Sequence, residues 1–412
     1  MRFGDMLRQA RSAKGLTQAE LGAGVYSDHF ISLLERGLRQ PTPDMVQHFA
    51  TQLGMAVQTL NWWVERPSAE DQPALTTAMF AANYARDMHD DALAASEAEY
   101  AADIAFEQRN GPAWWDMSML HAQSLIALRR LDEAEAVLLQ MEKPSLMVAS
   151  AELRSVVQGR LSTIARASGR LLDALELARR SAESAAELPE QSPARLQAAF
   201  ILIAALSVKG DLDEAWDVAT GLDVVEGAPF VPSLLIARGA WAIGNVAFRR
   251  GEVEVGQEQH ALAARLLLPQ SDLVTWAEFH RASASLKMQA GIVDESVRES
   301  LGKAELGLRL VGSPSHRSEL TLVQARFALL SEDLGEAKEL LDAVDGQRTL
   351  LDFESITELE DCLGQYHAAA GAPSLAARHL AEAARLYSDA GAEEKARELT
   401  EQIRALKGRG VR

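Results

Sequence analysis

Small residues recur along this chain at a spacing that rules out one conventional core. An alanine, glycine or serine follows an acidic or polar residue at Ala92, Ala134, Ala174, Ala215, Gly256, Ser296, Ala337 and Ala376, at intervals of 42, 40, 41, 41, 40, 41 and 39 residues. The clearest copies are LRRLDEAEAVL, SVKGDLDEAWDVA, FRRGEVEVGQEQHALAARLL and LSEDLGEAKELL. Each reads as the turn of an antiparallel helix pair, with small residues where the two helices approach closely. Such pairs bury their apolar faces on their neighbours, so an array of them has no single core. About eight pairs fit between residues 74 and 408. The composition agrees: the chain is rich in Ala, Leu, Glu and Arg, only 6% aromatic, and lacks alternating β-branched runs, which predicts an all-α protein.

The first 64 residues do not follow this repeat. Residues 16–37, LTQAELGAGVYSDHFISLLERG, place a helix, a tight turn and a second helix in a short span. Thr17 with Glu20 three residues later makes a capping box. Gly22 to Tyr26 form the turn, Ser27 or Asp28 caps the second helix, Ile31 and Leu34 give its buried stripe, and Gly37 stops it. This is the pattern of a helix-turn-helix, whose second helix enters the DNA major groove. ERPSAEDQP, residues 65–73, holds two prolines and reads as a linker between this head (1–64) and the array (74–412).

The head resembles the lambda-repressor-like (XRE, Cro/C1-type) domain over about residues 3–64, through LRQARSAKGLTQAEL, FISLLERG and RQPTPDMVQHFATQLGM in that order. The resemblance implies five helices near 3–14, 17–24, 28–36, 42–53 and 56–64. The span between Leu21 and Ile31 is one residue shorter than the common family form, and in this it is similar to the peptide-pheromone regulators of the Rgg, PlcR and NprR type (RRNPP). Those regulators carry a tetratricopeptide (TPR) array after the head. The period found here exceeds the usual roughly 34 residues of TPRs, which implies longer helices.

Charge divides unevenly. Residues 1–66 hold seven Lys or Arg and six Asp or Glu, and the remainder 34 against 53. An acidic array repels a nucleic-acid backbone, which confines DNA binding to the nearly neutral head. One weak head predicts a homodimer reading paired half-sites. The lone Cys362 excludes an intramolecular disulfide and reads as a buried small apolar residue. No signal peptide is evident and the longest apolar run, Ala198 to Leu206, is far too short to span a bilayer, so the expected location is cytoplasmic. No metal-ligand spacing, phosphate loop or nucleophile constellation occurs, and no enzyme activity or cofactor is expected. Acid pairs such as Asp211 with Asp213 and Glu252 with Glu254 fall at repeat turns, where solvated side chains explain them.

The resemblance assigns candidate DNA contacts. Recognition-helix positions carry Ser27, Asp28, His29, Ser32 and Leu33. Ser27 is either a contact or a cap; Asp28 either accepts from cytosine N4 or caps the helix. His29 suits a guanine, and Leu33 a thymine methyl or a packing interface. Gln18 matches the family residue that bonds a phosphate, with Arg36 and Arg39 as further phosphate partners. Arg36 has a rival role as an ion pair with Glu35 or Glu20. Leu7, Ala10, Leu16, Leu21, Ile31, Leu34, Val46 and Leu53 are expected in the core, and Trp62 and Trp63 either close the head or dock it on the array.

In TPR superhelices the first helix of each pair lines a groove. The best-preserved copy, RGAWAIGNVAFRRGE (238–252), places Arg238, Trp241, Asn245, Phe248 and Arg249 on or near that side, and other repeats add Phe200, Arg281 and Arg326. Asn245 can donate to and accept from a peptide backbone, and Arg238 can take a C-terminal carboxylate. Trp241 and Phe248 fit a core equally well. The chain has only four Asn, fewer than peptide-binding members often place in the groove, so a small molecule or protein ligand stays open. The reading is a DNA-binding transcription regulator whose array senses a ligand, most simply a peptide, and dimerises. The alternative is a scaffold that sequesters a partner protein, with the head as a DNA tether.

Overall fold

The computed structural model describes residues 3–36, 39, 41–65, 72–142, 150–190, 192–222 and 232–409. Among them the chain forms 22 α-helices and one 3-10 turn, with no strand. They belong to two compact units, residues 1–124 and 125–412. Gly37 and residues 66–71 of the expected linker lie outside the described residues.

The head consists of α1 (Phe3–Ala13), α2 (Gln18–Gly22), α3 (Asp28–Glu35), α4 (Pro43–Leu53) and α5 (Val57–Glu65). These match the five expected helices to within two residues. The Thr17 capping box forms: the Glu20 amide donates to Thr17 Oγ1 at 3.2 Å and the Thr17 amide to Glu20 Oε2 at 2.7 Å. Leu7, Leu21, Ile31, Leu34, Val46, Phe49, Leu53, Leu60 and Trp63 make the core, with Ala10 and Leu16 packed at its margin. Trp63 therefore closes the head; the side chain of Trp62 lies outside the described residues. At Gly4 the backbones of α1 and α3 touch: a Cβ there would stand 2.3 Å from the Leu34 carbonyl oxygen.

The array continues with α6 (Gln72–Asp87) and α7 (Asp91–Glu107), then α8 (Gly111–Ala127) and α9 (Leu131–Met141). Next come α10 (Ala151–Ala167) with α11 (Leu171–Ala185), α12 (Pro193–Lys209) with α13 (Leu212–Thr220), and α14 (Ser233–Arg250) with α15 (Val253–Leu266). The last pairs are α16 (Leu273–Gln289) with α17 (Glu295–Val311), α18 (Pro314–Leu330) with α19 (Leu334–Asp345), and α20 (Phe353–Ala369) with α21 (Pro373–Asp389), followed by α22 (Glu393–Arg409).

The small residues of the repeat sit where predicted, at the start of each second helix, with two corrections. Ala134, Ala174, Ala215, Ala337 and Ala376 are fully buried, but Ala92 is exposed and Ser296 only half-buried. Ala94 and Val297 take their places. A run of neighbouring alanines hid the register at Ala92; at Ser296 the serine hydroxyl instead bonds Asp294 Oδ1 at 2.7 Å. The turn between paired helices is a sharper marker. Each first helix is followed by one residue in the left-handed region: His89, Arg129, Gly169, Gly210, Gly251, Gly291, Glu332 and Gly371. Five are glycines, the residue with no steric penalty there.

First helices pack side by side from α10 through α12, α14, α16, α18 to α20 and form one continuous layer of the second unit. That succession closes on itself. Arg129 pairs with Glu319 and donates to the Leu350 carbonyl at 3.2 Å, and Arg166 pairs with Glu354. Leu171 and Val208 share an apolar cluster with Phe353, Ala390 and Ala392. Pairs about five repeats apart thus touch, and the superhelix completes a turn with contacts across its pitch.

Candidate functional site

The recognition helix α3 is held from behind. Glu35, 7% exposed, takes Arg11 through both carboxylate oxygens (Nη2 to Oε2 3.1 Å) and accepts from Gln18 Nε2 at 2.8 Å. Arg11 also donates to the Leu16 carbonyl at 2.7 Å. One buried carboxylate therefore ties α1 and α2 to the end of α3. The turn before α3 is packed by Tyr26 against Phe30, His48 and Phe49, and by His48 Nε2 on the Leu21 carbonyl at 3.2 Å.

The opposite face of α3 is open. Ser27, Asp28, His29 and Arg36 are exposed and Ser32 and Leu33 half-buried, while Ile31, Leu34 and Glu35 face inward. Ser27 is the cap, accepting from the Phe30 amide at 3.2 Å; Asp28 opens the helix and accepts from the His29 amide at 2.8 Å. Arg36 pairs with neither suggested carboxylate, since Glu20 is bound to Thr17 and Glu35 to Arg11. Its Nε donates to the Ser32 carbonyl at 3.3 Å. Arg39 is exposed beyond it. The Gln18 amide nitrogen bonds Glu35, which occupies one of its two N–H donors. The Arg11–Glu35 link was not anticipated, and nothing short of the folded contact between α1 and α3 reveals it.

In the second unit the first-helix face holds a groove of about 650 Å³ lined by α10, α12, α14 and α16, with Glu354 of α20 at one end. Arg238, Trp241, Asn245 and Arg249 line it from α14, at positions that share one helical face, and Phe200 and Gln197 from α12. Arg160, Ser162, Thr163 and Arg166 of α10, Ser207 of α12, and Thr275 and Glu278 of α16 complete the polar lining. Four arginines against two glutamates make the groove cationic within an acidic array.

Asn245 is set by a residue that sequence reading missed. His260, buried, approaches through Gly244, where a Cβ would lie 2.3 Å from its Cδ2. Burial holds its imidazole neutral, pushed down to about 3. Asn245 Oδ1 can only accept, so His260 Nε2 carries the proton and donates to it at 3.0 Å, while the Ser283 hydroxyl donates to Nδ1 at 3.0 Å. The Asn245 amide nitrogen is left as the group offered to the groove.

Three expected groove residues are elsewhere. Phe248 is 5% exposed and packs over Gly256 and edge-on to His260, because its position on α14 faces α15. Arg281 is spent on Glu278 and Glu319, and Arg326 on Glu358 and Asp361. Long side chains at first-helix positions here bridge neighbouring first helices instead of projecting free. Cys362 is fully buried, and burial pushes its thiol up to about 12. The turn acids bind turn cations: Asp211 takes Lys209 at 2.7 Å, and Asp213 and Glu252 take Arg250. No described helix is long and apolar enough to cross a membrane.

Residues 2–63 match a family model for a helix-turn-helix domain. No curated protein matches the chain. Among solved structures it is similar to a Rap protein complexed with Competence and Sporulation Factor, with a TM-score of 0.50 at 11% identity over 98% of both chains. It is also similar to the Rap conjugation gene regulator of the plasmid pLS20 in complex with the Phr* peptide, with a TM-score of 0.50 at 13% identity over 85% of this chain and 97% of that one. At such identities the likeness is one of fold. The chain thus carries an N-terminal helix-turn-helix domain and a Rap-like array of helical repeats.

Proposed function

We propose that this chain is a sequence-specific DNA-binding transcription regulator that senses a peptide in its first-helix groove. The observation that carries the reading is the joining, in one chain, of a helix-turn-helix whose second helix has an open polar face to a cationic groove in an otherwise acidic array. Residues 1–64 form the reading head and 74–412 the sensor. Ser27, Asp28, His29, Ser32 and Leu33 meet base edges, Arg36 and Arg39 meet phosphates, and Gln18 orients α3 through Glu35. The similar pLS20 regulator was solved with a peptide, which favours a peptide here over other ligands.

In the groove the Asn245 amide donates to a peptide carbonyl, Trp241 and Phe200 supply apolar contact, and Arg238 and Arg249 supply charge. Glu354 couples the groove to closure of the superhelix, because it pairs with Arg166 and also with Arg249 at 3.5 Å. A ligand that displaces either arginine shifts the balance between closed and open arrays, and so the separation of two heads in a homodimer.

The test is to incubate the full-length protein with fragmented genomic DNA and sequence what is retained, then repeat with candidate peptides present. Retention of a few sites with paired half-sites, altered by a peptide that binds, supports the reading. Unchanged retention in the presence of a bound peptide sinks the sensing mechanism, and retention of no site sinks the regulator.

A further inference from the structure

The arginines of the groove are not alike. Arg166 and Arg249 share Glu354. Arg160 has neither hydrogen bond nor ion pair among the described residues, although its side chain lies largely inside the protein and lines the groove. Arg238 is scarcely better served. It reaches Thr275 Oγ1 at 3.4 Å and Asp272 Oδ2 only at 4.0 Å. Asp272 is already committed, accepting from the Thr275 amide at 2.9 Å and hydroxyl at 2.6 Å to cap α16. Arg160 and Arg238 lie near enough to repel one another, and burial beside Arg238 lowers the pKa of Arg160. Two further polar atoms of the same lining, Trp241 Nε1 and Ser207 Oγ, are buried without a hydrogen-bond partner among the described residues.

A guanidinium stays charged at any physiological pH, so two of them set together with no carboxylate between them destabilise the fold unless an anion joins them. We infer that Arg160 and Arg238 form a clamp for an oxyanion of the groove ligand, a carboxylate above all. The inference rests on the reading of the groove as a ligand site and adds the ligand's chemistry: an acidic peptide, or one held by its free C-terminus. The planar forks of two arginines match the several lone pairs of one carboxylate. The Glu354 end, by contrast, already holds its own anion and has no need of another.

The experiment uses the full chain, the double variant Arg160→Gln with Arg238→Gln, and Arg309→Gln as an exposed control outside the groove. Each is offered pools of random hexapeptides with free or amidated C-termini, and separately inorganic phosphate and citrate in thermal unfolding. Peptides retained by the wild type are expected to be enriched in Asp and Glu, or to come only from the free-acid pool; the two results distinguish a side-chain anion from the terminus. The double variant is expected to weaken that retention by roughly tenfold per arginine, while unfolding no earlier than the wild type because a repulsion is relieved. Retention with no preference for acid, or one that survives the double variant, overturns the clamp and leaves the groove reading intact. Stabilisation of the wild type but not the double variant by phosphate or citrate, with no peptide retained, supports the clamp and removes the peptide. No response to any probe overturns both.

Discussion

Closure of the superhelix predicts that two glycines with nearly the same backbone conformation will differ sharply when replaced by alanine. Gly169 (φ 78°) and Gly371 (φ 75°) each follow the first helix of a pair. Among the described residues a methyl at Gly371 meets nothing within 4 Å, whereas one at Gly169 would stand 2.5 Å from Cδ2 of Phe353, five repeats away. Gly371→Ala therefore carries only the left-handed penalty, about 1 kcal/mol after the entropy gained in the unfolded chain. Gly169→Ala adds overpacking of about 1–3 kcal/mol. The same contact can also be relieved by opening the closure. We expect urea midpoints to fall in that order, and amide hydrogen exchange in α20 to accelerate in Gly169→Ala but not in Gly371→Ala. Shortening the ring with Phe353→Leu should shrink the gap between the two glycine variants. Equal destabilisation by both, with unchanged exchange in α20, would refute the reasoning that this contact closes the array.

Three further outcomes are expected. His260 and His280 are held neutral by burial, down to about 3 and about 4, so at these two sites the folded chain binds fewer protons than the unfolded one below the usual pKa near 6.5. The stability these two sites contribute is then lost as pH falls from about 6.5 toward 3–4, by about 2 kcal/mol per histidine at pH 5, against an opposing gain from Glu319, whose carboxyl burial raises to about 7; urea titrations at pH 7.5 and 5 should show His260→Gln shifted relative to the wild type by that one histidine's loss, and parallel pH dependences would count against the assignment. Glu332 is exposed and occupies a left-handed turn position (φ 61°) that five sister repeats give to glycine, so Glu332→Gly should stabilise the chain by about 0.5–1 kcal/mol in the same assay. In the head, Arg36→Ala should weaken binding to all DNA sequences alike, while His29→Ala should alter preference among them; equal loss across a site library for both would sink the assignment of roles.

The sequence by itself determined the local and periodic features of this protein. The Thr17 capping box, the apolar stripe of α3 and the repeat near forty residues are written in neighbouring residues, because capping, helical periodicity and the left-handed turn each act within one or two turns of chain. The glycines at 169, 210, 251, 291 and 371 would even have fixed the register that the alanines at 92, 94 and 95 obscured. Tertiary structure decided what depends on partners distant in sequence. It turned Arg281 and Arg326 from groove residues into bridges between first helices and set Phe248 against α15. Through His260 it fixed which end of Asn245 faces the groove. It also left Arg160, which nothing in its own helix distinguishes from Arg166, without the carboxylate that Arg166 finds in Glu354, 188 residues away. A nearest-neighbour repeat has no local code for its pitch. Contacts such as Phe353 on Gly169 arise only when small rotations summed over five pairs bring the ends of one turn together.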